Sequence, residues 1–193
     1  MIRLENALIS RVCHDLITPF NAINLGVEAF DMSGDKSLLD GVKESVDKAN
    51  VILKFMRELY SVKSNSYCYS LMSLKQLIAD FLKRYGVSFD LTSDFENIPN
   101  VAGKIVMYNA IVAKEILPFG GAAAVKIDDR ANEIVTTCIG KGVSVPSFDA
   151  ADGELSHKNV MRFCLLQLLE EAGFKIIAYQ EGSQVVLREQ MIA

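Results

Sequence analysis

The sequence predicts an α+β protein, with an N-terminal antiparallel helical hairpin followed by a C-terminal α/β domain. Apolar residues recur at helical spacing through roughly the first sixty residues, and the pattern then changes to short alternating runs. The polar stretch S-N-S-Y-C-Y-S separates the two patterns. We therefore place a helical hairpin at residues 1–63, a linker at 64–73 and the α/β domain at 74–193.

The first helix is predicted from Ile2 to about Phe30, because its apolar residues advance in steps of three or four. The turn residues M-S-G-D-K end this helix. Ser37 followed by Asp40 resembles a capping box that opens a second helix. The apolar stripe of the first helix consists of Ile9, Val12, Leu16, Phe20, Ile23, Val27 and Phe30.

The second helix carries a heptad-like seam, which suits helices that pack at a shallow angle. A hairpin alone cannot bury both stripes, so we expect two copies to pair into a four-helix bundle, as a homodimer. The alternative is a hairpin that packs only on its own C-terminal domain. The seam residues are Leu39, Val42, Val46, Ala49, Leu53, Met56 and Tyr60.

The C-terminal part reads as three helices and about five strands, mostly joined by hairpins. This order predicts an antiparallel or mixed sheet with helices on one face. Ser156 or Asp152 is expected to cap the last helix, and Gly173 to end it. In order, the predicted elements are a helix at Leu74–Tyr85, the strand V-S-F-D-L-T, a helix at Val101–Leu117, a hairpin around D-R-A-N, a helix to about Ala172, and a hairpin around E-G-S.

The composition excludes several classes of protein. The chain has 193 residues, is 50% hydrophobic and carries a formal charge of -4, which argues against nucleic acid as a partner. No signal peptide or membrane-length apolar run is visible, so we expect a cytoplasmic protein that does not bind a membrane. The four cysteines form no C-x-x-C pair, which favours reduced thiols over a zinc site. They are Cys13, Cys68, Cys138 and Cys164.

His14 lies nearly opposite the centre of the first apolar stripe, so its imidazole should face solvent. Asp15 can hold one ring nitrogen protonated and leave the other nucleophilic. Thr18, one turn on, places a hydroxyl beside the ring, and Pro19 should bend the helix because it lacks an N–H. By itself, a histidine on a helix is far more often structural than reactive. Ala7, Arg11, Thr18, Asn21 and Leu25 are expected on the same exposed side.

The segment H-D-L-I-T-P-F-N-A-I resembles the H-box of sensor histidine kinases, whose pattern is His, acid, Leu, variable, Thr or Asn, Pro, apolar. In that family the histidine is phosphorylated on the first helix of a dimeric four-helix bundle. The resemblance implies that His14 is the phospho-acceptor. Asp15, Thr18 and Pro19 match the adjacent acid, the polar residue and the proline of the motif.

The C-terminal domain departs from the kinase pattern wherever ATP would be bound. V-A-K-E-I-L-P-F-G-G resembles N-A-x-K-x-T-P-x-G-G, but Val112 replaces the magnesium-binding asparagine, and Asn109, three residues earlier, points elsewhere. C-I-G-K-G resembles D-x-G-x-G, but Cys138 replaces the adenine-reading aspartate. The stretch D-G-E-L-S-H-K-N-V has one glycine where a glycine-rich loop belongs. These departures indicate a kinase-type fold that has lost its ATP chemistry.

This combination resembles the ChpT family of bacterial histidine phosphotransferases, which join a kinase-like dimerisation bundle to a degenerate, ATP-free domain. The resemblance implies an enzyme of a phosphorelay that takes a phosphoryl group from the receiver domain of a hybrid kinase and passes it to response regulators. The implied partners are a CckA-like donor and CtrA-like and CpdR-like acceptors. It also implies no cofactor or metal site in this chain, since magnesium would come from the receiver.

The partner is expected to dock on the His14 side of the first helix. Arg11 is expected at the surface there, either solvated or against phosphoryl oxygens, and His157 in a surface or capping role. Two other functions stay open, namely an ATP-dependent sensor kinase fragment and a scaffold that docks response regulators without carrying phosphate. The predicted partner-binding residues are Arg11, Ile17, Asn21, Ala22 and Leu25.

Overall fold

The computed structural model describes residues 2–128, 130–148 and 155–192. The described residues form two compact units. One contains the chain through Tyr60 together with Leu155–Val160, and the other contains the remaining described residues. The α+β class predicted from the sequence is confirmed.

The first unit is built on an antiparallel helical hairpin, as predicted. Helix α1 spans Ile2–Ser33 and continues through Pro19, and helix α2 spans Leu38–Tyr60. Gly34, at φ 69°, ends α1 by donating its N–H to the carbonyl oxygen of Phe30 at 2.7 Å. The two helices pack along each other.

Helices α1 and α2 approach each other closely at Gly26. A Cβ atom built there would lie 2.6 Å from Cγ2 of Val42, which is closer than van der Waals contact allows. The absence of a side chain at this position therefore lets the two helices pack closely. The buried residues of α2 are Ser45, Ala49, Ile52, Phe55, Met56 and Leu59.

The second unit contains a five-stranded mixed sheet of order β2-β4-β5-β7-β6, in which β2 and β4 are parallel and the other pairs antiparallel. A separate two-stranded sheet joins β1 to β3. The helices are α3 (Leu71–Lys83), α4 (Asn100–Ile116) and α5 (Val160–Glu171). The strands are β1 (Cys68–Ser70), β2 (Val87–Ser93), β3 (Asn97–Pro99), β4 (Gly121–Asp128), β5 (Glu133–Gly140), β6 (Phe174–Glu181) and β7 (Gln184–Met191).

The described chain thus has two strands more than the sequence indicated. Strands β1 and β3 are three residues long, too short for an alternating pattern to mark them. Strand β1 lies within the stretch that we read as a linker, and α3 begins at Leu71 rather than at the predicted Leu74. The predicted domain boundaries themselves stay a prediction.

One face of the central strands forms the core of this unit. Helix α4 packs on it, and Nδ2 of Asn109 donates a 2.9 Å hydrogen bond to Oγ1 of Thr136 on β5. The buried residues on this face are Ala123, Val125 and Ile127 of β4, Ile134, Thr136 and Cys138 of β5, and Val185, Leu187 and Glu189 of β7.

The last helix is preceded by a hydrogen-bonded turn. The N–H of Val160 donates to the carbonyl oxygen of Ser156 at 3.0 Å. The alternative cap Asp152 and the predicted turn residue Asp129 lie outside the described residues. Within the described part of the chain, no helix combines the length and the apolar character needed to cross a membrane.

Candidate active site

His14 presents its ring to solvent, as the helical periodicity predicts. Its side chain is 63% exposed, and its Nδ1 lies 3.4 Å from Oδ1 of Asp15. An ionised carboxylate only accepts hydrogen bonds, so this contact favours the tautomer that carries its proton on Nδ1. The lone pair is then on Nε2, the outer nitrogen of the ring.

Asp15 is enclosed although its neighbour His14 is open. Its side chain is 6% exposed, and its Oδ2 accepts a 3.1 Å hydrogen bond from Nε of Arg11, one helical turn earlier. The two carboxylate oxygens therefore face different partners, one the guanidinium group of Arg11 and the other the His14 ring. A carboxylate held in this way keeps a constant orientation toward Nδ1.

The surface position predicted for Arg11 is wrong. Arg11 is 8% exposed, and its Nη1 donates a 3.1 Å hydrogen bond to the carbonyl oxygen of His157. Ala7 on the same side of α1 is also buried. Helical periodicity alone cannot reveal that a segment from the other end of the chain covers this side of the helix. Arg11 thus supports Asp15 rather than facing solvent.

His157 stacks on His14, with ring centroids 5.2 Å apart and an interplanar angle of 24°. Sequence reasoning missed this contact, since it gave His157 only a surface or capping role. The one signal available was that the chain has just two histidines. Nothing in the local sequence brings residue 157 to residue 14, because the contact is made only in the folded unit.

The other residues predicted around His14 are exposed. Ile17 and Leu25 are 57% and 66% exposed. Thr18, Asn21 and Ala22 are exposed as well. The structure therefore leaves this side of α1 accessible at residues 17–25, while the roles of these five residues stay predictions.

The positions that the sequence motifs match to ATP contacts of kinases lie in the core. Val112 and Cys138 have no exposed surface, and burial raises the pKa of the Cys138 thiol to about 12. Asn109 is also fully buried, and its amide bonds Thr136 rather than pointing outward. Within the described residues, no cluster of three or more His, Cys, Asp or Glu side chains is arranged to hold a metal ion.

The glycines that resemble kinase motifs have packing reasons of their own. A Cβ atom at Gly121, at φ 143°, would lie 2.3 Å from the carbonyl oxygen of Ile139. At Gly140, a Cβ atom would lie 2.6 Å from Cδ2 of Leu117. At both positions a Cβ atom would collide with neighbouring atoms of the domain, so the presence of these glycines is no sign of a nucleotide.

A known phosphotransferase resembles this chain over most of its length. No family model matches the chain. Protein phosphotransferase ChpT of Brucella abortus (strain 2308) is 26% identical over 190 residues, which cover 93% of this chain and 91% of that protein.

Two solved structures share the fold. One, described as a bacterial phosphotransferase, has a TM-score of 0.85 at 23% identity and covers 98% of this chain and 97% of its own. The Acinetobacter baumannii histidine kinase AdeS has a TM-score of 0.52 at 10% identity, covering 92% and 96%. The predicted resemblance to a ChpT-type bacterial phosphotransferase, and with it the assignment as a phosphotransferase, is confirmed.

Proposed function

We propose that this protein is a histidine phosphotransferase of a bacterial phosphorelay, which accepts a phosphoryl group on Nε2 of His14 and passes it on without using ATP. The observation that carries the proposal is the pairing of an exposed imidazole with an enclosed carboxylate at 3.4 Å. A surface histidine without such a partner has no fixed tautomer, whereas this one directs a single nitrogen outward.

The transfer step requires no proton movement at the attacking atom. The Nε2 lone pair forms a bond to phosphorus while the bond from phosphorus to the aspartyl oxygen of a docked receiver breaks, and the receiver keeps the carboxylate. The imidazole then becomes a phosphorylated cation with its proton still on Nδ1. Asp15 stabilises that charge, and Arg11 keeps the carboxylate in place. Magnesium, if the step uses it, belongs to the receiver.

The receiver docks along the exposed side of α1 that carries His14. Ile17, Ala22 and Leu25 supply apolar area, while Thr18 and Asn21 supply hydrogen-bonding groups near the ring. Arg11 takes no direct part, since it is buried against Asp15. As the resemblance to the ChpT family implies, the proposed donor is a CckA-like hybrid kinase and the proposed acceptors are CtrA-like and CpdR-like response regulators.

The proposal that ATP is not used is supported by the kinase-type domain. A magnesium-binding asparagine and an adenine-reading aspartate are replaced by Val112 and Cys138, which have no exposed surface. A nucleotide phosphate needs a counter-ion and accessible donors, which a buried valine and an un-ionised thiol do not provide. The surroundings of His14 therefore serve transfer between proteins.

We also propose that the hairpin pairs with a second copy as a four-helix bundle. Phe20 and Val27 of the α1 stripe are 49% and 40% exposed, and Val46 and Leu53 of the α2 seam are 39% and 44% exposed. Each pair is spaced by seven residues, the repeat of helices that pack side by side. Covering this face is the expected role of a second hairpin.

A transfer assay tests the function directly. A hybrid-kinase receiver domain charged with phosphate should label the wild-type protein and leave a His14→Gln variant unlabelled, a loss of at least about 100-fold. Incubation of the wild type with ATP and magnesium should give no label. Labelling from ATP alone would favour a kinase, and docking of the receiver without any transfer would favour a scaffold.

The dimer is tested separately by sedimentation. The wild type should have twice the mass of one chain at micromolar concentration, and Phe20→Asp should shift it toward the monomer. Glu28→Lys, an exposed change on the same helix, should not. A monomeric wild type would contradict the four-helix bundle while leaving the proposal for His14 intact.

A further inference from the structure

Hydrogen bonds hold the second histidine of the chain in position against the first. His157 lies in a turn where the N–H of Ser156 donates to Oδ1 of Asn159 at 2.8 Å, and the N–H of Lys158 to Oγ of Ser156 at 3.3 Å. Arg11 fixes the same turn through the carbonyl oxygen of His157. The His157 ring, itself half-buried, is thereby placed on the face of the His14 ring.

We infer that His157 is a positioning residue for the phospho-acceptor, whose stacked ring limits rotation of the His14 imidazole so that Nε2 keeps its outward direction. The inference rests on the proposed function of His14. It adds a residue from the far end of the chain to a site that otherwise lies entirely on α1.

The need for a second restraint follows from the geometry of His14. Its side chain is 63% exposed, and rotation about the terminal bond of a histidine is broad rather than confined to three staggered wells. The contact to Asp15 at 3.4 Å is long for a hydrogen bond and restrains the ring weakly. A nearly parallel ring at 5.2 Å acts on the face of the imidazole, where Asp15 does not reach.

Arg11 connects the two restraints. One guanidinium group bonds the carboxylate beside Nδ1 and the carbonyl oxygen of the residue whose ring covers His14, both at 3.1 Å. A displacement of Arg11 would therefore disturb both contacts of the reactive ring. Such preorganisation increases the fraction of encounters in which the attacking nitrogen is aligned with the phosphoryl group.

Two substitutions of His157 separate stacking from other roles. His157→Ala removes the ring, whereas His157→Phe keeps a flat ring without titratable nitrogens. The full-length variants are mixed with a hybrid-kinase receiver domain charged by acetyl phosphate, and single-turnover transfer is followed over a range of receiver concentrations. The chemical shifts of the His14 ring protons are measured by NMR on the same samples, and thermal unfolding confirms that each variant is folded.

The expected result is a three- to tenfold lower maximal transfer rate for His157→Ala, with the half-saturating receiver concentration unchanged. The Phe variant should remain within about twofold of the wild type. The His14 ring protons should lose their ring-current shift in the Ala variant and keep it in the Phe variant.

Equal rates and equal shifts in the wild type and His157→Ala would overturn the inference and leave the proposed function standing. A Phe variant as slow as the Ala variant would also overturn it, because stacking would then not be the cause. A wild type that takes up no phosphoryl group would overturn the proposed function and this inference together. Label on His14→Gln, lost only on additional removal of His157, would make His157 an acceptor instead and overturn both.

Discussion

Two regions of this molecule resemble parts of a histidine kinase, and they treat their polar groups in opposite ways. On α1, the ring of His14 is open to solvent while Asp15 beside it is enclosed. In the kinase-type domain, the positions that would contact ATP are an apolar side chain and a thiol within the core. The two regions therefore differ in the accessibility and charge pairing of their motif positions, which the sequence letters alone do not record.

The residues that match kinase motifs also make different kinds of contact in the two regions. Asp15 takes part in the ionic contacts of the site, whereas Gly121 and Gly140 stand where a Cβ atom would collide with neighbouring atoms. A sequence pattern alone does not distinguish these cases. The environment of each residue distinguishes the two cases. A glycine is needed wherever a Cβ atom would collide with neighbouring atoms, whether or not a ligand binds there.

The largest effect is expected from breaking the enclosed charge pair on α1. Arg11→Met keeps much of the side-chain volume but leaves the Asp15 carboxylate without the guanidinium group that pairs with it at 3.1 Å. Loss of one partner of an enclosed ion pair should lower the free energy of unfolding by about 3–5 kcal/mol. Phosphoryl transfer to His14 should fall at least about tenfold, because the carboxylate then loses its fixed orientation.

Urea unfolding and single-turnover transfer measure these two effects. Arg57→Met on the exposed side of α2 is the matched control, with a change below about 0.5 kcal/mol. If Arg11→Met proved as stable and as active as this control, Arg11 would have no supporting role.

The next effect concerns an acidic side chain that the kinase-type domain buries. Glu189 on β7 has no exposed surface, and burial raises its pKa to about 8 from the ordinary 4.5. The folded protein therefore holds a proton that the unfolded chain releases, and stability is lost as the pH rises from 4.5 through 8. Glu189→Gln removes this dependence, so its advantage over the wild type should grow by about 2–4 kcal/mol between pH 5 and pH 8.

Urea unfolding at both pH values provides the measurement for Glu189. The exposed acid Glu181 at the end of β6, changed to Gln, is the control and should show no such trend. A Glu189→Gln variant with the same pH dependence as the wild type would mean that Glu189 is ionised in the folded domain.

A smaller effect is expected when Val112 is replaced by the asparagine that the kinase motif has at the matching position. Val112→Asn places a polar amide where no surface is exposed, so it should cost about 2 kcal/mol in unfolding free energy. It should not produce labelling from ATP, since Cys138 is buried as well. Val62→Asn at a fully exposed position is the control, and ATP labelling of Val112→Asn would show that the kinase site is intact apart from one residue.

The sequence was sufficient to predict the hairpin, the succession of the main strands along the chain and the outward direction of His14, because all three depend on local periodicity. It failed at Arg11 and His157, which contact each other across most of the length of the chain. A helical wheel describes one helix in solvent, so it cannot show that another segment covers one side of it. The short strand β1 was missed for a different reason, since three residues carry no detectable period.

The smallest effect on stability is expected at the proposed docking side of α1, where a substitution should change receiver binding instead. Leu25 is 66% exposed, so Leu25→Ser should change the free energy of unfolding by less than about 0.5 kcal/mol. If a receiver covers this side chain, the half-saturating receiver concentration in the transfer assay should rise about three- to tenfold while the maximal rate is kept. Ile177→Ser is a matched control, because this residue of β6 is 57% exposed and belongs to the kinase-type unit. Equal effects of the two changes would mean that the exposed apolar residues beside His14 have no special part in docking.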